Sequence, residues 1–114
     1  MAVDEVVLQA LIEEKLKPFV KKIDEEAYYA EDFLLELGKA GFFASTQKDE
    51  QTVLLDELTI VQETAKVCMT TAFCLWCHLA ALTYLRKTDN EPLRTKILPL
   101  LERGEVLGAT GLSN

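Results

Sequence analysis

Glycine and proline are scarce in this sequence, five and three in 114 residues. A β-sandwich or barrel of this length needs many more turn-forming residues, so that class is excluded and helices are indicated. Basic residues are also in deficit. Twelve Lys and Arg stand against 19 Asp and Glu, a formal charge of -7. A surface that acidic repels phosphate backbones, which excludes nucleic-acid binding. Cysteines number three, an odd count that suits no disulfide framework. Met1 leads into Asp4 and Glu5 rather than into a basic segment and an apolar run. The chain therefore reads as cytoplasmic, with reduced thiols. It has no internal repeat or low-complexity tract, and no phosphate loop, nucleophile elbow or paired-carboxylate site.

What is present is enough apolar material, 49%, for a core. Val3, Val6, Val7, Ala10 and Leu11 recur at helical spacing, and Leu16, Phe19, Val20 and Ile23 resume it in a shifted phase. Pro18 lies between the sets and predicts a kink or break. Glu31 and Asp32 open a short helix with Phe33, Leu34 and Leu37 inside and Gly41 as its stop. Residues 45–52 form a polar connector. Leu54, Leu58, Val61 and Ala65 mark a third helix. A fourth spans Met69 to Leu85 within a stretch, Val67 to Leu85, that holds no Asp, Glu, Lys or Arg. Its length just reaches that of a membrane-spanning helix. The amphipathic helices on either side favour a buried central helix, apolar all round. Thr88-Asp89-Asn90-Glu91-Pro92, a capping Asp or Asn and then an acid and Pro in the first turn, is the start signal of a fifth helix, which Gly104 ends. Beyond it, residues 106–114 lose the helical period. The expectation is an all-α, up-and-down-like bundle of five helices over 1–105, with 106–114 opening something else.

Cys74, Cys77 and His78 match C-x-x-C-H, the attachment pattern of c-type haem. That chemistry needs export, and Met69 lies too near in sequence to serve as the opposite axial ligand. Zinc would draw on Cys68, Cys74, Cys77 and His78, all on or beside one helix, whereas closed sites use two separated pairs. Neither haem nor metal is expected. The acidic residues alternate with lysines as on a solvated face.

Several segments, in order, resemble the N-terminal helical domain of the acyl-CoA dehydrogenases. They begin with Lys17-Pro18-Phe19-Val20 followed by Ile23-Asp24. Next come Leu37-Gly38-Lys39-Ala40-Gly41-Phe42-Phe43, similar to that family's "L-x-x-x-G-L/F-F" helix stop, and the stretch Leu55 to Ala65, similar to its "E-E-L-A" helix. Cys77-His78-Leu79-Ala80-Ala81-Leu82 resembles a V-H-x-x-L stretch. Most specific is Asn90 to Glu105, which resembles "T-E-E-Q-K-x-x-Y-L-P-x-L-A-x-G-E". Departures accompany these matches. The polar link at 45–52 stands in place of a Gly-rich loop, Ser113-Asn114 in place of Thr-Glu, and Thr110 in place of an aromatic.

The resemblance implies α,β-dehydrogenation of an acyl-CoA thioester, with a carboxylate base taking the α-proton and FAD accepting the β-hydride. It assigns the base and most of the FAD site to later domains, so no catalytic residue is expected in this chain. Thr110, Leu112 and Ser113 match the first residues of the flavin-binding strand. Phe73 and Trp76, three apart on the fourth helix, fall beside the acyl pocket. The implied partners are an acyl-CoA substrate, an electron acceptor and further copies of the chain. A flavin-dependent monooxygenase of the same fold, a stand-alone helical interaction module and a membrane-anchored helical protein are the alternatives.

Overall fold

A computed structural model describes residues 4–46 and 48–109. Among these every regular element is helical. Helix α1 (Glu5–Leu11) starts at Asp4, whose carboxylate accepts the amide hydrogens of Val6 and Val7 at 3.1 and 3.2 Å. The chain stays helical through a π turn (Ile12–Leu16) and a 3-10 turn (Lys17–Phe19) before α2 (Val20–Glu26). Pro18 explains the sequence of turns. Its ring would strike the carbonyl four residues back in a regular helix, and the widened turn before it relieves that contact. The expected kink is thus spread over eight residues.

Ala27 closes α2 in the left-handed region, φ 56. Tyr28 then folds back to stack on Phe19 with ring centroids 5.5 Å apart. Helix α3 (Glu31–Lys39) follows and ends at Gly41, φ 87, with the Phe42 amide donating to the Leu37 carbonyl at 3.1 Å. Helix α4 (Glu50–Ala65) begins inside the stretch expected to be a connector. There Asp49 caps it by accepting the Thr52 amide hydrogen at 2.7 Å. Helix α5 (Met69–Lys87) packs between α4 and α6 (Glu91–Glu102), so the last three helices are sequential neighbours. Asn90 caps α6 through the Leu93 amide, and Gly104, φ 74, ends it.

The core joins Leu8, Ile12 and Leu16 to Phe33, Leu34, Leu37 and Phe43, and these to Ile60, Leu75 and Leu82. The structure shows which way two helices face and corrects a third. Along α1 and the π turn the inner stripe is Leu8, Ile12 and Leu16, whereas Val6, Val7 and Ala10 face outward. On α4, Leu54, Leu55 and Leu58 are exposed, and the inner positions are Asp56, Ile60 and Thr64. Helix α5 is central but not apolar-packed all round, because Met69, Phe73, Trp76 and Tyr84 are exposed.

One backbone crossing ties the two ends of the bundle. A β-carbon on Gly38 would lie 2.3 Å from the Arg103 carbonyl oxygen, and one on Gly104 3.2 Å from the Leu34 carbonyl oxygen. Helix α3 and the end of α6 therefore meet main chain to main chain, at two glycines.

Candidate functional site

Helix α5 carries two chemically distinct faces. Inward it places Ala72, Leu75, His78, Leu79 and Leu82, all buried. Outward it places Phe73 and Trp76, three residues apart, stacked with ring centroids 6.0 Å apart and planes at 23°. Trp76 lines a groove of about 300 Å3 between α4 and α5, together with Leu54, Leu58, Val61 and Tyr84. Phe73 is not on the groove wall but backs the Trp76 ring. Both candidate pocket residues thus share one solvent-facing surface, and Trp76 alone touches the groove. The leucines of α4 that complete the wall belong to the stripe that marks this helix in the sequence. Their spacing signalled a helix correctly but did not show which way it faced.

The same groove continues toward the α6 side as a second, more polar space of about 530 Å3, sharing Leu54, Glu57 and Thr83 with the first. Its cations are already committed. Lys48 lies 3.0 Å from Asp56, Lys87 3.4 Å from Glu50, and Arg86 3.1 Å from Glu57 and 3.3 Å from Glu102. Arg86 also donates to the Phe43 carbonyl at 2.6 Å, and Glu102 accepts the Ser45 hydroxyl hydrogen at 2.7 Å. One guanidinium therefore joins the α3–α4 connection, α4, α5 and α6. Burial pushes the Glu57 carboxyl above its ordinary value, with the Arg86 hydrogen bond pulling against it. Sequence reading missed this node, because nothing in the spacing of Arg86, Glu57 and Glu102 marks them as neighbours.

His78 sits on the opposite, buried side. Its ring nitrogens face Leu101 O at 3.0 Å and Gly108 N at 2.9 Å, and the Phe43 ring lies 4.5 Å away. Both nitrogens are therefore engaged by the main chain and not directed at Cys74 or Cys77. The three cysteines are free thiols, and burial pushes Cys74 up from the ordinary thiol value. No group of three or more ligating side chains comes together among the described residues. Nor is any described helix long and apolar enough to cross a membrane.

Residues 5–105 match the sequence profile described as "Acyl-CoA dehydrogenase, N-terminal domain". The chain belongs to the acyl-CoA dehydrogenase family. No curated protein and no solved structure gives a match. The family match spans every described helix, from the first residue of α1 past the end of α6. The flavin-contact candidates Thr110, Leu112 and Ser113 lie beyond the matched residues of this acyl-CoA dehydrogenase domain and outside the described ones. The side chains around the larger groove leave no unpaired cation for a diphosphate, and the net charge opposes one.

Proposed function

We propose that this chain serves as the N-terminal helical domain of an FAD-dependent acyl-CoA dehydrogenase, supplying its scaffold and one wall of its acyl pocket. The observation that carries the reading is the Trp76 groove, an apolar trough on the helix that the family match covers. Its walls are Leu54, Leu58, Val61, Trp76, Leu79 and Tyr84, and an acyl chain needs such a surface to leave water. Its apolar part holds about 300 Å3, at the small end of ligand pockets, and what continues from it toward α6 is the more polar space lined by the paired Arg86 and Lys87.

The parent enzyme then favours short or branched acyl groups. On this reading the base and most of the flavin site belong to other domains of the enzyme, and Thr110, Leu112 and Ser113 are this chain's candidates for flavin contact. Electron acceptor, homo-oligomer and cytoplasmic location follow the same reading. Assaying the complete flavoenzyme against acyl-CoA esters of increasing length tests it. Short-chain preference that moves to longer chains in Trp76→Ala is the expected result. An enzyme that prefers long chains and ignores this substitution overturns the assignment of the groove.

A further inference from the structure

The segment that leaves α6 is held by a side chain that the acyl-CoA reading does not use. We propose that His78 is a positioning residue that latches this segment onto α5, through its contacts with Gly108 and Leu101. The inference is independent of any flavin chemistry.

The hydrogen-bonding inventory fixes the arrangement. The Gly108 amide can only donate and the Leu101 carbonyl can only accept. A neutral imidazole offers one acceptor and one donor, so Nδ1 must carry the lone pair and Nε2 the proton. Leu101 lies in the last turn of α6, where its carbonyl accepts the Gly104 amide hydrogen at 3.1 Å and has a second lone pair for the His78 Nε2 hydrogen. The left-handed turn at Gly104 then brings the chain back over α5. There the approach is so close that a β-carbon on residue 108 would lie 2.4 Å from the Ala81 β-carbon. Two features thus converge on one point: a glycine that lets the main chain reach α5, and an imidazole nitrogen waiting for its amide. One ring fastens both the end of α6 and the chain at Gly108.

The latch has a chemical off-state. An imidazolium has no acceptor, so protonation of His78 sets an N–H against the Gly108 N–H while leaving the Leu101 bond intact. Burial opposes that proton first, the Leu101 carbonyl favours it, and the Arg86 charge opposes it. Along α5, Arg86 contributes positive charge and the Cys74 and Cys77 thiols none. The stretch after α3 offers only the Phe43 ring, and Glu102 of α6 is taken up by Arg86 and Ser45. At neutral pH the latch is closed.

The test uses the full chain, labelled for NMR. His78 is expected to show a protonated Nε2 and an unprotonated Nδ1 at pH 7.5, and the opposite tautomer overturns the proposal. Amide exchange at Gly108 is the second readout. Asn at position 78 places a carbonyl oxygen near the Nδ1 position and lacks the reach to Leu101, whereas Gln does the reverse. Exchange at Gly108 should be slowed about tenfold or more in the native chain and in His78→Asn, and should be fast in His78→Gln. Gly108→Ala should release the segment with α6 intact, and Ala81→Gly should restore protection in that background. Equal Gly108 exchange in the native chain and all four variants would mean that the ring merely fills space.

Discussion

His78 and Arg86 carry most of the polar organisation, and they make opposite predictions. His78 is 1% exposed and its pKa is lowered from 6.5, chiefly by burial, against the pull of the Leu101 hydrogen bond. The folded state therefore takes up its proton at lower pH than the unfolded chain does. This group costs nothing above about pH 6.5. Stability falls as pH drops from there toward the lowered folded value, by at most ~1.4 kcal/mol per pH unit, and then levels off. Urea denaturation of His78→Gln beside the native chain between pH 7.5 and 5 should show the native curve falling more steeply. At pH 7.5, His78→Ala should cost about 2–4 kcal/mol, from the cavity and from the Gly108 amide left without its acceptor. Arg86 differs because its charge is permanent. Removing it strands Glu57 and Glu102 close together at about one-sixth exposure each, 14% and 17%. Arg86→Ala should cost about 2–4 kcal/mol, and Arg86→Lys should recover less than half, since an ammonium cannot reach two carboxylates and a carbonyl in one plane. Thermal unfolding of the two variants checks both values.

Helix termini were the most legible part of the sequence, because each depends on one or two residues whose chemistry is local. Gly41 and Gly104 adopt positive φ where stops were expected, and of the two candidate caps, Asp89 and Asn90, it is Asn90 that caps α6. Ala27 was not foreseen. A helix end at left-handed φ normally takes glycine, and an alanine there gives no signal. Ala27→Gly should raise stability by about 0.5–1 kcal/mol by removing that strain, read as a higher urea midpoint at unchanged slope. Gly38→Ala should do the reverse and cost 2 kcal/mol or more, roughly as overpacking does. Its new methyl meets the Arg103 carbonyl, a main-chain group that cannot rotate away. Helix facing was the least legible feature. The Leu54, Leu58, Val61 stripe identified α4 correctly as a helix, yet that helix turns Asp56, Ile60 and Thr64 inward and lends two of those leucines to the groove. A helix with apolar residues on two faces can pack on either. What decides is the partner surface, which one sequence does not display. Trp76 on the groove and Phe73 behind it are singled out only by the family resemblance, which pointed to α5. The Arg86 node needed three-dimensional neighbours that no spacing encodes.

Taken whole, the chain combines an acidic surface with one apolar flank, and the combination sets what these 114 residues do by themselves. Met69, Phe73, Trp76 and Tyr84 on α5 and Leu54, Leu55 and Leu58 on α4 are exposed together, a larger apolar area than scattered surface residues leave. Within the proposed enzyme that flank meets acyl chain and later domains. In the isolated chain it meets water, and self-association is the expected outcome, weakened by Trp76→Glu in sedimentation experiments. FAD should not take its place. The ligand carries a diphosphate, and the formal charge here is -7, with the cations around the larger groove held in ion pairs. The resemblance assigns flavin binding to strand amides that a sheet fixes in place. The described part of the outgoing chain makes no strand, its Gly108 amide being spent on His78. Titrating FAD into the 114-residue chain while following flavin fluorescence should give no saturable quenching at micromolar concentration. The complete enzyme under the same conditions should retain flavin. Saturable quenching by the helical chain would place a cofactor site among these helices and overturn the division of labour between them and the domains that follow.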